Sequence, residues 1–278
     1  MNFTKWQGCG NDFVLIDCLE EPMECDYASL GKELCDRHYG IGADGILVVE
    51  PSEVADFRMR IINADGSEAE MCGNGIRCFA RYLYDYQRTD KTDFTIETGA
   101  GILVPSLKVE DGKVTGVRVD MGEPVLSGDD IPVKGFGTNK VINETLTVKG
   151  QDYKMTCVSM GNPHCVIFVE DAECFPIEEL GSFFEHHEGF PRKTNTEFVT
   201  VRDRSHMRMR VWERGAAVTL ACGTGSCATL VAGVLTGRTD RVAEIELDGG
   251  RLFVEWAENN HVFMTGPAEL VFAGSLEV

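Results

Sequence analysis

The chain has 278 residues, with 26 Lys and Arg against 45 Asp and Glu, a formal net charge of -19. A surface that acidic is expected to repel nucleic acid and anionic membranes, which argues against both as partners. The 43% hydrophobic and 26% charged content is that of a globular protein with enough length for one large domain or two medium ones.

Taken in chain order, Phe13–Asp17 reads as a strand after a glycine turn, and Tyr27–Arg37 as a helix. Gly45–Glu50 and Phe57–Ile62 read as strands, and Asn63–Ser67 as a turn. Beyond Cys72, the positions Ile76, Phe79, Ala80 and Leu83 recur at helical spacing and describe one buried stripe. Lys113–Asp120 returns to strand alternation. Met155–Val158 and Val166–Val169 are predicted strands around the turn Gly161-Asn162-Pro163-His164. Thr196–Arg202 and Met207–Trp212 follow as strands. A second helical stripe comes next at Cys227, Leu230, Val231, Val234 and Leu235, before a strand-rich end.

The two halves repeat one another. Gly10-Asn11 precedes Gly161-Asn162 by 151 positions, Cys72 precedes Cys222 by 150, and Gly99 precedes Gly249 by 150. Several ordered matches at a nearly constant offset indicate a duplicated unit. The polar, punctuated stretch around 120–130 is the expected boundary. The domains expected are 1–122, joined by the tail 267–278, and 123–266, packed together and sharing a cleft.

Eleven cysteines, an odd number in a chain too long to need disulfide staples, fit a reducing compartment. There is no signal-peptide pattern and no run of 18 apolar residues, so a cytoplasmic protein is expected. Cys18, Cys25, Cys35, Cys157, Cys165 and Cys174 read as small buried hydrophobes, and Cys78 and Cys227 fall on the packed side of their helices. Cys72 and Cys222 differ. Each opens a helix inside a Cys-Gly-x-Gly turn, where successive backbone amides form a concavity for anions. Such a turn lowers a thiol from its free value of about 8.5 and can hold a substrate carboxylate. Inversion at an α-carbon needs one group to take a proton and a second to return one from the other side. A duplicated cysteine turn supplies both.

Other readings fit less. Neither segment has the spacing of a dinucleotide loop, and Cys72/Cys78 and Cys222/Cys227 are spaced wrongly to converge on one metal ion. A Cys–His nucleophile built on His164 leaves the second cysteine turn unexplained. A racemase of another amino acid, such as histidine, and a non-catalytic amino-acid binding protein remain open from the residues alone.

The segments Gly10–Phe13, Asn63–Ser67, Cys72–Cys78, Gly161–His164, Trp212–Gly215, Ala221–Gly225 and His261–Ala268 resemble the diaminopimelate epimerase family nearly end to end. The resemblance implies an α/β (α+β) fold of two pseudo-symmetric, barrel-like, sheet-rich halves. Each surrounds a central helix, the tail returns to the first half, and the active site lies in the cleft between them. It also implies a homodimer acting on a small amino-acid substrate without cofactor or metal. The reaction implied is exchange of LL- and meso-2,6-diaminopimelate in lysine and peptidoglycan precursor synthesis. By the same resemblance Cys72 and Cys222 are base and acid, with His164 beside them. Amides of Gly73, Asn74, Gly223 and Thr224 hold the reacting carboxylate, and Asn11 lines the reacting centre. Asn63, Asn162, Asn195, Glu213 and Arg214 read the distal amino and carboxylate groups. Glu213 offers the ammonium a counter-charge and Arg214 offers the carboxylate a planar fork. The chain departs from the family pattern at Gly45 and Val218, where some members carry Gln and Glu.

Overall fold

The computed structural model describes residues 1–277. The chain divides into two compact units, Met1–Asp120 with the segment from Thr265 on, and Met121–Met264. The first unit contains β1 (Asn2–Gly8), β2 (Asn11–Asp17), α1 (Tyr27–Cys35), β3 (Gly45–Glu50), β4 (Phe57–Asn63), β5 (Glu68–Ala69), α2 (Gly73–Asp85), β6 (Ile96–Thr98), β7 (Gly101–Leu103), β8 (Ser106–Glu110) and β9 (Lys113–Asp120). The second contains β10 (Glu144–Val148), β11 (Gln151–Ser159), β12 (Pro163–Phe168), α3 (Ile177–Glu185), β13 (Asn195–Asp203), β14 (His206–Glu213), β15 (Ala217–Thr219), α4 (Gly223–Leu235), β16 (Val242–Leu247) and β17 (Gly250–Trp256). Strand β18 (Val262–Gly266) leads the chain back to β19 (Glu269–Ser275) of the first unit.

The duplication read from offsets is a duplication of topology. In the first unit the strands run β19-β1-β2-β3-β4-β6-β7, with β5 paired to β4. The pairs β2–β3 and β4–β6 are parallel, and β1–β2, β3–β4 and β6–β7 antiparallel. In the second unit β11-β12-β13-β14-β16-β17 repeats that order, with β15 on β14 and parallel pairs at β12–β13 and β14–β16. A parallel pair needs a crossover, and each crossover here carries a helix. Thus α1 corresponds to α3 and α2 to α4. The turn glycines Gly10 and Gly161 adopt φ values of 82° and 91°, a conformation open to glycine without strain.

The two longer helices, each 13 residues, are packed against these sheets. In α2 the stripe Ile76, Phe79, Ala80 and Leu83 is fully buried. In α4 burial extends round nearly the whole helix, from Gly225 to Gly233, which is why its sequence is apolar on most faces. Each buried Leu, Ile or Phe contributes about 1.5–3 kcal/mol. No helix among the described residues is long and apolar enough to cross a membrane.

Three sequence readings change. Helix α1 stops at Cys35, not Arg37, because the Asp36 side chain accepts from the His38 and Tyr39 amides and turns the chain. Helix α3 was not predicted, although Glu178 and Glu179 mark its first turn. Cys25 and Cys174 are exposed, not buried. Cys25 directly precedes the Asp26 cap of α1, and Cys174 follows the polar turn that Asp171 closes on Glu173.

Candidate active site

Both helices that follow a parallel crossover strand and its short hairpin begin at a cysteine. Cys72 and Cys222 have extended backbones and occupy the N-cap positions of α2 and α4. Each sulfur accepts from the amide three residues on, Gly75 N to Cys72 Sγ and Gly225 N to Cys222 Sγ, both at 3.4 Å. The amides of Gly73 and Asn74, and of Gly223 and Thr224, lie in the first turns, where a helix supplies no acceptor of its own. Each thiol therefore sits in a small field of N–H donors.

Around Cys72 the polar set is continuous. Asn11, at the start of β2, places Oδ1 3.6 Å from Cys72 Sγ and accepts from Asn74 Nδ2 at 3.1 Å. Asp44 holds the other end of the Asn11 amide at 2.7 Å. The guanidinium of Arg77 is fully buried and donates to Gly73 O at 3.0 Å, Asn74 Oδ1 at 2.9 Å and Pro267 O at 3.0 Å. Asn63 ends β4, and its amide donates to Ser67 Oγ within the turn.

Around Cys222 the set is acidic. His164 belongs to β12, not to the preceding turn, and is fully buried. Its Nδ1 lies 2.7 Å from Glu197 Oε1 and its Nε2 3.0 Å from Asn162 Oδ1. Glu197, on β13, is also fully buried. Burial pushes its carboxyl upward, opposed by the adjacent imidazole. Contrary to the lowering expected of the cysteine-glycine turn, burial, reinforced by Glu213 and Glu197, pushes the Cys222 thiol well above the ordinary range, against the Thr224 hydroxyl and the Gly225 amide. One donor atom each from His164, Glu197 and Cys222 lie within 4.8 Å of one another.

Glu213 ends β14 and accepts from the Thr219 hydroxyl, while Arg214 lies in the exposed turn beyond and donates to Arg192 O at 3.1 Å. Asn195 uses both ends of its amide internally, donating to Pro163 O and accepting from Arg214 N, each at 2.9 Å. It thereby ties the start of β12 to the Arg214 turn.

A sequence profile described as diaminopimelate epimerase matches residues 3–127 and 156–271. The curated diaminopimelate epimerase of Agathobacter rectalis is 53% identical over 285 residues, covering all of both chains. That of Methanococcus maripaludis is 52% identical over 279 residues, again covering both chains entirely. The chain belongs to the diaminopimelate epimerase family. A solved structure of a phenazine biosynthesis protein of the PhzF family from Bacillus anthracis shares the fold, with a TM-score of 0.70 at 18% identity over all of this chain and 99% of that one.

Within the diaminopimelate epimerase family pattern, the two departures have packing reasons. A Cβ on Gly45 would lie 2.7 Å from Ile62 O, so the backbone here has no room for a side chain. Val218 packs with Trp212 against the apolar cluster of Phe184 and Phe198. Three participants escaped the sequence reading: Asp44, Arg77 and Glu197. Of the three, Glu197 could have been found from its 150-residue offset to Leu47, which sets an acid where the first half has an apolar residue.

Proposed function

We propose that the protein interconverts LL- and meso-2,6-diaminopimelate by transfer of the α-proton between two cysteines, without a cofactor. The observation that carries this reading is the paired helix starts, in which a cysteine sulfur caps each of two topologically equivalent helices. One thiolate removes the α-proton and the other thiol returns one, and the roles exchange in the reverse direction. First-turn amides at Gly73, Asn74, Gly223 and Thr224 bind the reacting carboxylate and take up charge that spreads into it as the proton leaves. Asn11 and His164 border the reacting centre. Glu213 and Arg214, with Asn63 and Asn162, recognise the distal zwitterion, and Asn195 sets the Arg214 turn. The relatives at 52–53% identity, all named for diaminopimelate, support this substrate. A cytoplasmic homodimer is part of the same proposal, and the net charge of -19 argues against nucleic acid and membrane partners.

Incubation of LL-diaminopimelate with the protein in heavy water is expected to give the meso isomer with deuterium at one α-carbon and no added cofactor. Unchanged substrate, with exchange instead into histidine or another amino acid, defeats the substrate assignment. Exchange into no amino acid defeats the reaction.

A further inference from the structure

The two cysteine-capped helix starts are alike in backbone and unlike in what lies against them. Beneath the first turn of α2, a Cβ on Gly75 would meet Leu47 Cδ2 at 3.2 Å and Phe13 Cζ at 3.6 Å. Beneath the first turn of α4, a Cβ on Gly225 would meet Glu197 Oε1 at 2.7 Å. Leu47 and Glu197 are each the third residue of their strand. Phe13 and His164 are paired in register with the first residues of those strands, Gly45 and Asn195. The second unit thus replaces the apolar pair Phe13/Leu47 with the buried pair His164/Glu197. The first unit shows that the fold closes over an apolar pair at this place. Burying an acid and an imidazole there costs desolvation and leaves Glu197 Oε2 with no hydrogen-bond partner among the described residues. A polar pair that the fold does not require is explained by the cysteine beside it.

Resting on the two-cysteine reading above, we propose that Glu197 is a positioning residue: paired with His164 under the first turn of α4, it holds the proton on Cys222, so that Cys222 rests as the thiol. The Glu197–His164 contact of 2.7 Å fixes the carboxylate in place, within 4.8 Å of the Cys222 sulfur. Negative charge on the carboxylates of Glu197 and Glu213 opposes a further negative charge on the neighbouring sulfur. In the direction that uses Cys222 as acid, its S–H bond breaks as the new Cα–H bond forms, and the electron pair stays on sulfur. In reverse, the thiolate takes the proton from Cα and the S–H bond is restored.

The ionisable groups around this sulfur come from three strands: His164 from β12, Glu197 from β13 and Glu213 from β14. Glu197 also acts on the Cys165 thiol of β12, which is pushed up by burial and by Cys157. In β11, which also packs on α4, the ionisable buried side chain is Cys157, whose thiol faces Met155 Sδ at 3.9 Å. The buried positions of β16 and β17 are apolar. Glu197 is thus one of two carboxylates acting on Cys222.

The test measures iodoacetamide labelling of Cys222 and Cys72 in the full chain across pH by peptide mass spectrometry, so that the midpoint for each sulfur is read without reference to turnover. Glu197→Gln is expected to lower the Cys222 midpoint by about one pH unit, equal to about tenfold faster labelling below the midpoint, and to leave Cys72 unmoved. Glu197→Asp, which keeps the charge, stays near the wild-type midpoint. An unmoved Cys222 midpoint in the Gln variant, a parallel shift of both cysteines, or an Asp variant that shifts as far as Gln overturns the proposal. If Glu197→Gln does not fold, His164→Phe with Glu197→Leu copies the packing of the first unit, and its Cys222 midpoint is also expected to fall; an unchanged or higher one overturns the proposal. Normal deuterium exchange with an unmoved midpoint defeats only the role of Glu197. Absence of exchange in the wild-type protein defeats the two-cysteine reading itself.

Discussion

Leu47 and Glu197 hold the same place in the two units, each against the glycine three residues beyond a capping cysteine, Gly75 in one and Gly225 in the other. The backbone is duplicated around them, while one contact is methyl against glycine and the other is a hydrogen-bonded carboxylate oxygen against glycine. Duplication therefore preserved the geometry that caps a helix with sulfur and let the chemistry behind each sulfur diverge.

The two glycines should respond differently to a methyl group. At Gly75 an added Cβ would meet Leu47 Cδ2 at 3.2 Å, the end of a flexible side chain. The gain in helix propensity, up to about 1 kcal/mol, offsets that crowding. At Gly225 the Cβ would lie 2.7 Å from Glu197 Oε1 and 3.2 Å from Cys222 Sγ, so the carboxylate must leave His164. Gly225→Ala is expected to cost about 1–3 kcal/mol in urea denaturation, and Gly75→Ala less than half as much. Equal tolerance of the two would show that Glu197 is loosely held.

Arg77 is the second place where stability and the site meet. Its buried guanidinium joins Pro267 O, in the returning tail, to Gly73 O and Asn74 Oδ1 at the start of α2, and Asn74 in turn holds Asn11. Arg77→Ala strands these acceptors and opens a cavity, at an expected cost of about 3–5 kcal/mol. Arg77→Lys is expected to recover only part of that loss, since one ammonium cannot replace a fork. A loss under 1 kcal/mol for the alanine variant would mean that water satisfies the carbonyls.

Much of this was legible in the residues, for identifiable reasons. The offset of 150 between Cys72 and Cys222 predicted the repeated unit, because the strand and helix lengths between matching turns are nearly equal in both halves. The cysteine-glycine turns predicted the helix starts. Arg77 was hidden because an arginine on a helix is read by default as solvated, and its burial depends on Pro267, 190 residues away. Glu197 was hidden because a single acid in a strand reads as a solvent-facing residue, whereas β13 is covered on both faces at that point and Thr196, Glu197 and Phe198 are all fully buried.

The buried thiols set an alkaline limit to stability. Burial pushes Cys78 from 9.0 up to about 12, and Cys35 from 9.0 up to about 11. Both are acids raised in the folded state, so the fold binds their protons more tightly than the unfolded chain does. That contribution is whole below pH 9 and is withdrawn as pH rises through about 11 and 12. At the other end, the hydrogen bond from Lys91, helped by the Thr95 amide, holds Asp56 at about 2, down from 3.8. Its contribution is present above pH 3.8 and lost as pH falls toward 2. The thermal midpoint is expected to decline above pH 9, and less steeply in Cys78→Ala. A midpoint still flat at pH 11 would contradict the burial of these thiols.

Serine at the two caps separates folding from proton transfer. As N-caps, Cys72 and Cys222 each accept one amide hydrogen bond at 3.4 Å through sulfur, a weak acceptor. Serine is among the preferred N-cap residues, so Cys72→Ser and Cys222→Ser should leave the urea midpoint unchanged or raise it. The alcohol, however, ionises far less readily than a thiol, and a group that must act as base in one direction and acid in the other loses both roles. Each single variant is therefore expected to lose inversion by about 10²–10⁴-fold while keeping its fold. Because each direction needs one group to take the proton and another to return it, the double variant should be little worse than either single one. Near-normal turnover in one serine variant would assign the chemistry to the other cysteine alone. Lost turnover with a lowered urea midpoint would instead mean that the sulfur matters for the helix start.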